Sequence, residues 1–245
     1  MRSFHGSKNK LNMATSSQLL WIIVPVYNEA DNFPALYKEI TTKIKTPHKI
    51  VVVYDYDEDN TVPVVKKQQK SDKRLILHKN TRGRGVLNAI LSGFDYVKSG
   101  PMLVTMADLS DELDVVDTMY DLHQKGADIV CGSRYMKGGK QIGGPLLKRS
   151  LSRIAGVSLK WIRGFPTHDV TNNFKLYDKS VIDDIEIESS GGFEVATEIT
   201  VKAFNQHKKI EQVPSTWRDR TAGESNFKLW RWLPSYLRWY FKALF

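Results

Sequence analysis

The sequence predicts an α/β protein with a mostly parallel central sheet flanked by helices, and two observations support this class. Short runs rich in β-branched residues alternate with segments in which apolar side chains recur every three or four positions. Several of these runs end in polar, acidic loops. A helix that crosses between neighbouring strands makes those strands parallel, and ligands of such sheets bind at the carboxyl ends of the strands.

The predicted strands are short and rich in Val and Ile, and they lie near residues 19–26, 49–54, 73–78, 102–107 and 128–133. A helix between the first two strands is predicted from Phe33 to Ile44, where Pro34 favours the first turn. A second helix is predicted from Leu87 to Val97, before the fourth strand.

The pattern becomes less regular after about residue 134. The segment MKGGKQIGGP, at 136–145, is rich in Gly and Lys and predicts a loop. Such a loop could close over a substrate or simply lie at the surface. A further helix is predicted around residues 146–162.

The last 19 residues predict a basic amphipathic helix. Trp230, Leu237 and Phe241 recur at helical spacing, whereas Arg238 and Lys242 fall on a different side. Such a helix can lie in an anionic bilayer interface, and this would favour a lipid substrate. Packing on the protein's own sheet, or contact with a membrane-anchor subunit, is the alternative.

Composition limits the class of protein and of partner. The 245 residues, 41% of them hydrophobic, are enough for one large globular domain. The net charge of +9 indicates attraction to an anion, such as a nucleotide diphosphate, a phospholipid head group or a nucleic acid. Nothing resembles an RNA-binding aromatic pair or a helix-turn-helix, so we expect no nucleic acid partner.

The single cysteine, Cys131, excludes an internal disulfide and fits a reducing compartment. Its apolar neighbours predict a buried strand thiol. There is no run of about 18 apolar residues that would predict a transmembrane helix. The polar residues 1–17 lack the apolar core of a signal peptide and predict a flexible tail. We therefore expect a cytoplasmic protein that is peripheral to the membrane.

Three predicted strands run into acidic loops. The segment VTMADLSDE, at 104–112, leads from a hydrophobic strand to Asp108, Asp111 and Glu112. The segments WIIVPVYNE and KIVVVYDYDEDNT end in the same way. Because the carboxyl ends of parallel strands meet at one edge of a sheet, these loops predict one shared site, at which carboxylates could hold a divalent cation against a diphosphate.

The motifs VPVYNE, VVVYDYDEDNT, MADLSD, GSRY, HDVTNNFKLY and WRDRTAGESNFKL occur in this order between residues 20 and 230. This order resembles the inverting family-two glycosyltransferases, in the branch of dolichol-phosphate mannose synthase and the polyprenyl-phosphate glycosyltransferases. The resemblance implies a GT-A-type fold, a UDP- or GDP-sugar donor and a polyprenyl phosphate acceptor. It implies a catalytic domain at 18–225, with the amphipathic helix at 226–245. The base and the sugar are left open.

The resemblance also implies roles for individual residues. Pro25, Tyr27 and Glu29 would surround the nucleotide, together with Asp55. The family's Asp-Ala-Asp motif appears here with Met106 in the first position, which leaves a leaner Mg²⁺ or Mn²⁺ site. Its ligands would be Asp108, helped by Ser110 or Asp111.

Guanidinium groups suit the acceptor side of the site because they stay charged and bind phosphate bidentately. The resemblance places Arg134, Arg149 and Arg220 there, with Ser152 as a hydroxyl donor and Asp169 nearby. Arg153 could take the place of Arg149.

Two acceptor classes differ in the chemistry that they require. A phosphate acceptor is largely dianionic at pH 7 and can attack the anomeric carbon without a strong base. A hydroxyl acceptor needs a base, for which Asp169 or Asp111 would be the candidates. A binder that has lost catalysis with the first motif Asp is the third possibility.

Overall fold

The structure is a computed structural model that describes residues 18–219 and 229–245, without the side chains of Leu229 and Arg231. The predicted flexible tail at 1–17 and the predicted catalytic Arg220 lie outside the described residues. The predicted boundary between residues 225 and 226 also lies outside them.

The strands of the described residues are β1 (Leu20–Pro25), β2 (His48–Tyr54), β3 (Leu75–Lys79), β4 (Pro101–Val104), β5 (Ile129–Ser133), β6 (Lys140–Ile142), β7 (Lys175–Asp178), β8 (Ile210–Pro214) and β9 (Thr216–Arg218). Seven of them form one sheet in the order β3-β2-β1-β4-β7-β5-β8. All neighbours in this sheet are parallel except β7, which runs antiparallel between β4 and β5. The strands β6 and β9 pair separately and in parallel.

The helices are α1 (Phe33–Lys43), α2 (Thr61–Gln68), α3 (Val86–Tyr96), α4 (Val116–Gln124), α5 (Leu146–Arg163), α6 (Lys179–Asp183), α7 (Val195–Asn205) and α8 (Leu229–Leu244). A short 3-10 turn, Leu113–Val115, precedes α4. None of these helices is both long and apolar enough to cross a bilayer.

The core consists of an apolar layer on each face of the sheet. One layer contains side chains of α1 and α4, such as Phe33 and Met119, against β1 and β2. The other contains side chains of α3 and α7, such as Phe94 and Ile199, against β4 and β5. A smaller cluster joins α5, α7 and α8 around Trp239. Burial of apolar surface on both faces holds the strands in register and fixes the sheet edge.

The five predicted strands are confirmed, as are the predicted helices at α1, α3 and α5 and a helix near the end of the chain. The sequence did not predict β7 or β8. The strand β7 has only four residues and begins with Lys175, and β8 interrupts its apolar residues with Glu211 and Gln212, so neither shows a strong strand pattern.

One local prediction needs correction. The predicted loop at 136–145 contains β6, which pairs with β9, a strand about 75 residues later in the chain. Pro234 lies inside α8. Its missing N–H removes one hydrogen bond to the carbonyl of Trp230.

Candidate active site

A cavity of about 1300 Å³ lies at the carboxyl edge of the sheet. The ends of β1, β2, β4 and β5 open into it, as the parallel topology predicts. Nine of the residues predicted for the site line this cavity: Pro25, Tyr27, Glu29, Asp55, Asp108, Ser110, Asp111, Arg134 and Ser152.

The loop after β1 is held in place by the loop before α2. The side chain of Asp59 is fully buried and accepts a hydrogen bond from the backbone N–H of Asn28, at 3.0 Å. Asn28 has a φ of +56°, a conformation that asparagine tolerates better than most residues. The backbone N–H of Glu29 donates to the Thr61 hydroxyl at 2.9 Å. These bonds fix the backbone directly after Tyr27, whose own side chain is exposed.

The Asp55 carboxylate is anchored rather than free to rotate. One oxygen accepts a hydrogen bond from the Asn80 side chain at 2.7 Å, and the other accepts one from the backbone N–H of Gly85 at 2.8 Å. Gly85 has a φ of +115°, which a residue with a side chain rarely adopts. The carboxylate thereby faces the cavity at a fixed angle.

Sequence analysis missed Arg84, which lines the cavity and lies over the Tyr56 ring at 5.1 Å. Tyr56 in turn makes an edge-to-face contact with Tyr27, with ring centroids 5.9 Å apart. The signal in the sequence was the run RGRG directly before the apolar helix α3, because a glycine-rich turn before a helix suits an anion.

The loop after β4 brings two acidic side chains to the cavity. The Asp108 carboxylate accepts a hydrogen bond from the backbone N–H of Ser110, at 3.1 Å. Between them, Leu109 has a φ of +60°, which is strained for a residue with a γ-branched side chain. The strain is balanced by β9, since the N–H of Arg218 donates to the Ser110 carbonyl at 2.9 Å. The acidic loop is therefore fixed before any ligand binds.

Asp111 is a buried carboxyl group. Burial and the negative charge of Asp108 raise its pKa to about 7, and the charge of Arg134 acts in the opposite direction. The Thr105 hydroxyl donates a hydrogen bond to Asp111 at 3.4 Å. A cation beside the two carboxylates would relieve their repulsion, so Asp108 and Asp111 fit a divalent ion. No group of three or more His, Cys, Asp or Glu side chains in residues 18–219 and 229–245 forms a richer metal site.

Arg134 and Asp169 form a bidentate ion pair. Nε of Arg134 donates to one carboxylate oxygen at 2.6 Å, and Nη2 donates to the other at 2.9 Å. The backbone N–H of Arg134 adds a third bond at 3.0 Å. Burial lowers the pKa of Arg134, but the charge of Asp169 and the bonds to it outweigh this effect and raise the pKa. The guanidinium therefore stays charged and is held in one orientation.

Hydroxyl groups continue the network from Arg134 towards α5. Nη2 of Arg134 also donates to Ser152 Oγ at 3.0 Å and to Thr171 Oγ1 at 3.2 Å. These two hydroxyls lie 2.7 Å apart, and the Tyr135 hydroxyl donates to Ser152 at 2.9 Å. The cluster joins β5, α5 and the loop before β7 at one point of the cavity.

The structure separates three of the predicted residues from the cavity lining. Both oxygens of Asp169 are engaged by Arg134, and Asp169 is fully buried and does not line the cavity. Arg149 is exposed and also does not line it, whereas the preceding residue, Lys148, does. Arg153, the predicted alternative to Arg149, is likewise exposed on α5. Lys148 and Ser152 are four residues apart and share one face of the helix.

The far wall of the cavity is apolar. It is formed by Leu151, Ile154 and Ala155 of α5 and by Leu233, Leu237 and Tyr240 of α8. Ile154 and Leu237 are also exposed to solvent, at 62% and 43%. The cavity therefore opens between α5 and α8 onto an apolar surface.

Comparison with known protein families identifies the class of protein to which this fold and site belong. A model of the family described as glycosyl transferase family 2 matches residues 21–186, which is more than half of the chain. The chain belongs to this family, as its motifs predicted.

Two curated relatives are similar over most of the chain. The chain is 30% identical over 213 residues to a dolichol-phosphate mannosyltransferase of Pyrococcus furiosus, covering 84% of this chain and 58% of that protein. It is 29% identical over 216 residues to a polyprenol monophosphomannose synthase of Mycolicibacterium smegmatis, covering 85% of this chain and 81% of that protein. The chain thus spans little more than half the length of the Pyrococcus relative.

A solved structure confirms the predicted GT-A-type fold. Glucosyl-3-phosphoglycerate synthase of Mycobacterium tuberculosis, in complex with Mn²⁺, UDP and glucosyl-3-phosphoglycerate, superposes with a TM-score of 0.65 at 13% identity. The match covers 99% of this chain and 85% of that chain. At this identity the likeness concerns the fold alone.

Proposed function

We propose that this chain transfers a hexose, with inversion, from a nucleotide-diphosphate sugar to a polyprenyl phosphate at a membrane surface. One observation carries the proposal: a single cavity has carboxylates at one end and an opening between two amphipathic helices at the other. A charged donor and a lipid acceptor need these two environments side by side. The names of the two curated relatives make mannose the first sugar to test.

The donor would occupy the end of the cavity nearest β1 and β2. The Tyr27 ring offers a flat surface for the nucleotide base, and Arg84 offers a cationic one. The anchored Asp55 carboxylate can accept hydrogen bonds from the base or the ribose. The diphosphate would then extend towards Asp108.

The acceptor phosphate would bind beside Arg134. Its guanidinium is oriented by Asp169, and Lys148 and Ser152 are presented from one face of α5. We propose that Lys148 binds the acceptor phosphate in place of Arg149, because Lys148 lines the cavity. Asp169 would then be a positioning partner of Arg134 rather than a group that touches the substrate.

This arrangement suits a phosphate acceptor better than a hydroxyl. A hydroxyl needs a base, and both oxygens of Asp169 already accept hydrogen bonds from Arg134. Of the two candidate bases, Asp111 would remain. A dianionic phosphate oxygen can instead attack the anomeric carbon directly, forming a C–O bond as the bond to the nucleoside diphosphate breaks on the opposite face.

Asp108 and Asp111 would hold Mg²⁺ or Mn²⁺, which neutralises charge on the departing diphosphate when it is bound. The raised pKa of Asp111 supports this assignment, because a cation beside the pair lowers the cost of two adjacent carboxylates. Glucosyl-3-phosphoglycerate synthase, which shares the fold, has been crystallised with Mn²⁺ and with Mg²⁺.

An exposed apolar line on α5 supports membrane binding. Leu147, Ile154 and Trp161 are seven residues apart, which is close to two helical turns, so they form one line along the helix. All three are exposed, Trp161 at 83%. An exposed apolar line of this length marks an interaction surface.

A second line on α5 is basic: it consists of Arg149, Arg153 and Lys160. At about 100° per residue, it lies about 120° around the helix from the apolar line. A helix that combines an apolar line with flanking cations suits an anionic bilayer interface. Phe241 of α8 adds to the apolar surface, with an exposure of 53%.

The helix α8 is fixed against the rest of the protein. Trp239 is buried, and the Tyr240 hydroxyl lies 2.9 Å from the Ser158 hydroxyl of α5. Arg238 and Lys242 both bind the Glu188 carboxylate, at 2.6 and 2.9 Å. The two helices would therefore meet the bilayer as one surface, with the cavity opening between them.

The test is transfer of labelled sugar from GDP-mannose, UDP-glucose and other nucleotide sugars to a short polyprenyl phosphate, with Mg²⁺ or Mn²⁺. We expect label in the lipid phase with one donor class, loss of label with EDTA, and loss with Asp108→Asn. Asp121→Asn, a change of an exposed carboxylate on α4, is the matched control and should retain activity.

The other outcomes have distinct meanings. Metal-dependent donor cleavage without lipid product would overturn the lipid acceptor and favour a hydroxyl acceptor. Absence of turnover with every donor, while nucleotide binding is retained, would overturn catalysis and favour a binder that has lost activity.

A further inference from the structure

The first residue of β7, Lys175, has a fully buried side chain near the active site. It is the one lysine among the buried residues of the described chain. In the sheet it lies between Val104 of β4 and Cys131 of β5, so it separates the strands that lead to Asp108 and Arg134. A buried ammonium is costly unless its surroundings compensate for lost water, so its contacts call for explanation.

The ammonium of Lys175 binds backbone carbonyls rather than a carboxylate. It donates to the Val170 carbonyl at 3.0 Å and also to the Asn172 carbonyl. Both carbonyls belong to the segment that follows Asp169. The side chain of Asn172 ties the same segment to β5, donating to the Gly132 carbonyl at 2.9 Å. Through these hydrogen bonds, Lys175 holds in place the segment that carries Asp169 and Thr171.

The charge of Lys175 also reaches both acidic parts of the site. Burial lowers its pKa, while the negative charges of Asp169 and Asp111 act to raise it and the charge of Arg134 acts to lower it. The lysine is therefore electrostatically coupled to carboxylates of both parts of the site. A neutral residue of equal volume would fill the space but would remove a hydrogen bond from each of two carbonyls, of which that of Val170 also accepts one from the Thr197 hydroxyl at 3.4 Å.

We propose that Lys175 is a positioning residue for the acceptor phosphate. It fixes the segment 170–172, and through Asp169 and Thr171 it holds the Arg134 guanidinium in the orientation that receives the phosphate. The inference rests on the proposed function, since it concerns the acceptor half of the same site. The donor half, which depends on Tyr27 and Asp55, should not depend on Lys175.

The experiment compares Lys175→Met with Lys175→Arg, which keeps the charge, and with Val181→Ala. Val181 is fully buried in the same apolar layer and lies on α6, so its truncation destabilises the core without touching the site. Three quantities are measured: hydrogen exchange of peptides that span residues 165–174, the dissociation constant of citronellyl phosphate by calorimetry, and that of GDP and UDP.

We expect Lys175→Met to speed exchange in 165–174 and to weaken citronellyl phosphate binding by about tenfold or more, with nucleotide binding unchanged. Lys175→Arg should recover part of the phosphate affinity. Val181→Ala should lower the melting temperature and alter neither readout. Unchanged exchange and phosphate affinity in Lys175→Met, or equal changes in Val181→Ala, would overturn the proposal.

Failure of the proposed function would look different. A wild-type protein that does not bind citronellyl phosphate refutes the lipid phosphate acceptor and, with it, the acceptor role of Lys175. The exchange readout then still decides whether Lys175 holds the segment 170–172.

Discussion

Asp169 and Arg134 show how one residue can matter without touching a substrate. Asp169 is fully buried, and the side chain of Arg134 is 9% exposed. Arginine stays charged at all physiological pH values, so the carboxylate is needed to orient the guanidinium and to compensate for its lost hydration. The pair is neutral overall, and it fixes the orientation of a charged hydrogen-bond donor rather than carrying a proton.

Replacing Asp169 by Asn should therefore destabilise the protein, because it leaves the guanidinium buried without its counter-charge. We expect the free energy of unfolding to fall by about 3 kcal/mol in urea denaturation. Asp183→Asn is the control, since Asp183 pairs with Lys179 at an exposed position and should cost less than about 1 kcal/mol. Equal losses in the two variants would show that the buried pair contributes no more than an exposed one.

Lys148 and Arg149 are adjacent in sequence but point in different directions from α5. Lys148→Ala should raise the KM for a polyprenyl phosphate by about tenfold or more, because a charged hydrogen bond to the acceptor is lost. Arg149→Ala should leave the KM for a short, water-dispersed acceptor unchanged. Steady-state kinetics at saturating donor measures both, and a larger effect from Arg149 would reverse the proposed roles.

At the scale of the element, α8 depends on a glycine in the segment before α7. A Cβ added at Gly191 would lie 2.6 Å from the Trp232 ring and would also crowd the Glu194 carboxylate. Glu194 accepts the backbone N–H groups of Gly191 and Gly192, at 2.9 and 2.8 Å, so this contact cannot relax freely. The close packing fixes where α8 begins to cover the cavity.

Gly191→Ala should displace the first turns of α8 and cost about 1–3 kcal/mol of stability. We expect a red shift of tryptophan fluorescence and faster proteolysis near α8. Ser190→Ala, a change at the exposed neighbouring residue, should alter neither property. Identical proteolysis of the two variants would refute the dependence of α8 on this contact.

Two exposed apolar side chains near the end of α5, Trp161 and Ile162, make a separate prediction about the membrane. Trp161→Gln combined with Ile162→Gln should weaken binding to vesicles of phosphatidylcholine and phosphatidylglycerol by about tenfold or more, because two large apolar side chains no longer enter the interface. Transfer to a water-dispersed acceptor should be retained, since neither residue lines the cavity. Vesicle sedimentation measures the binding. Unaltered binding would show that this part of α5 does not contact the membrane.

For the whole molecule, carboxylates with lowered pKa values predict how stability changes with acid. A hydrogen bond from His123 lowers the pKa of Asp178, and bonds from Lys202 and Lys242 lower that of Glu188 to about 2. A lowered folded-state pKa adds stability above the unfolded-state value, and this stability is lost as the pH falls through the folded-state value. We therefore expect the free energy of unfolding to decrease from about pH 4.5 to about pH 2.

The urea midpoint measured over this pH range shows how steeply the stability falls with decreasing pH. Asp178→Asn should flatten it, because one of the linked carboxylates is gone. Added salt should reduce the part that comes from Glu188, whose ion pairs are partly exposed. If the stability of Asp178→Asn depends on pH as steeply as that of the wild-type protein, Asp178 does not contribute to the loss of stability in acid.

The sequence alone determined the class of fold and the location of the site. Val- and Ile-rich runs and helical spacing are local properties, so five strands and four of the helices were predictable from neighbouring residues. Parallel strands end at a common edge, so the acidic loops after β1, β2 and β4 had to meet there. The motif order also indicated the family before any contact was known.

The tertiary structure alone decided which side chains face each other. The pairing of Arg134 with Asp169 spans 35 residues and exists because β7 lies beside β5, a strand order that no local pattern encodes. One step along a helix turns a side chain by about 100°, so a motif cannot distinguish Lys148 from Arg149 until the direction of α5 is known. The burial of Lys175 follows from the same cause, because a polar residue in a short strand becomes internal only when strands close on both sides of it.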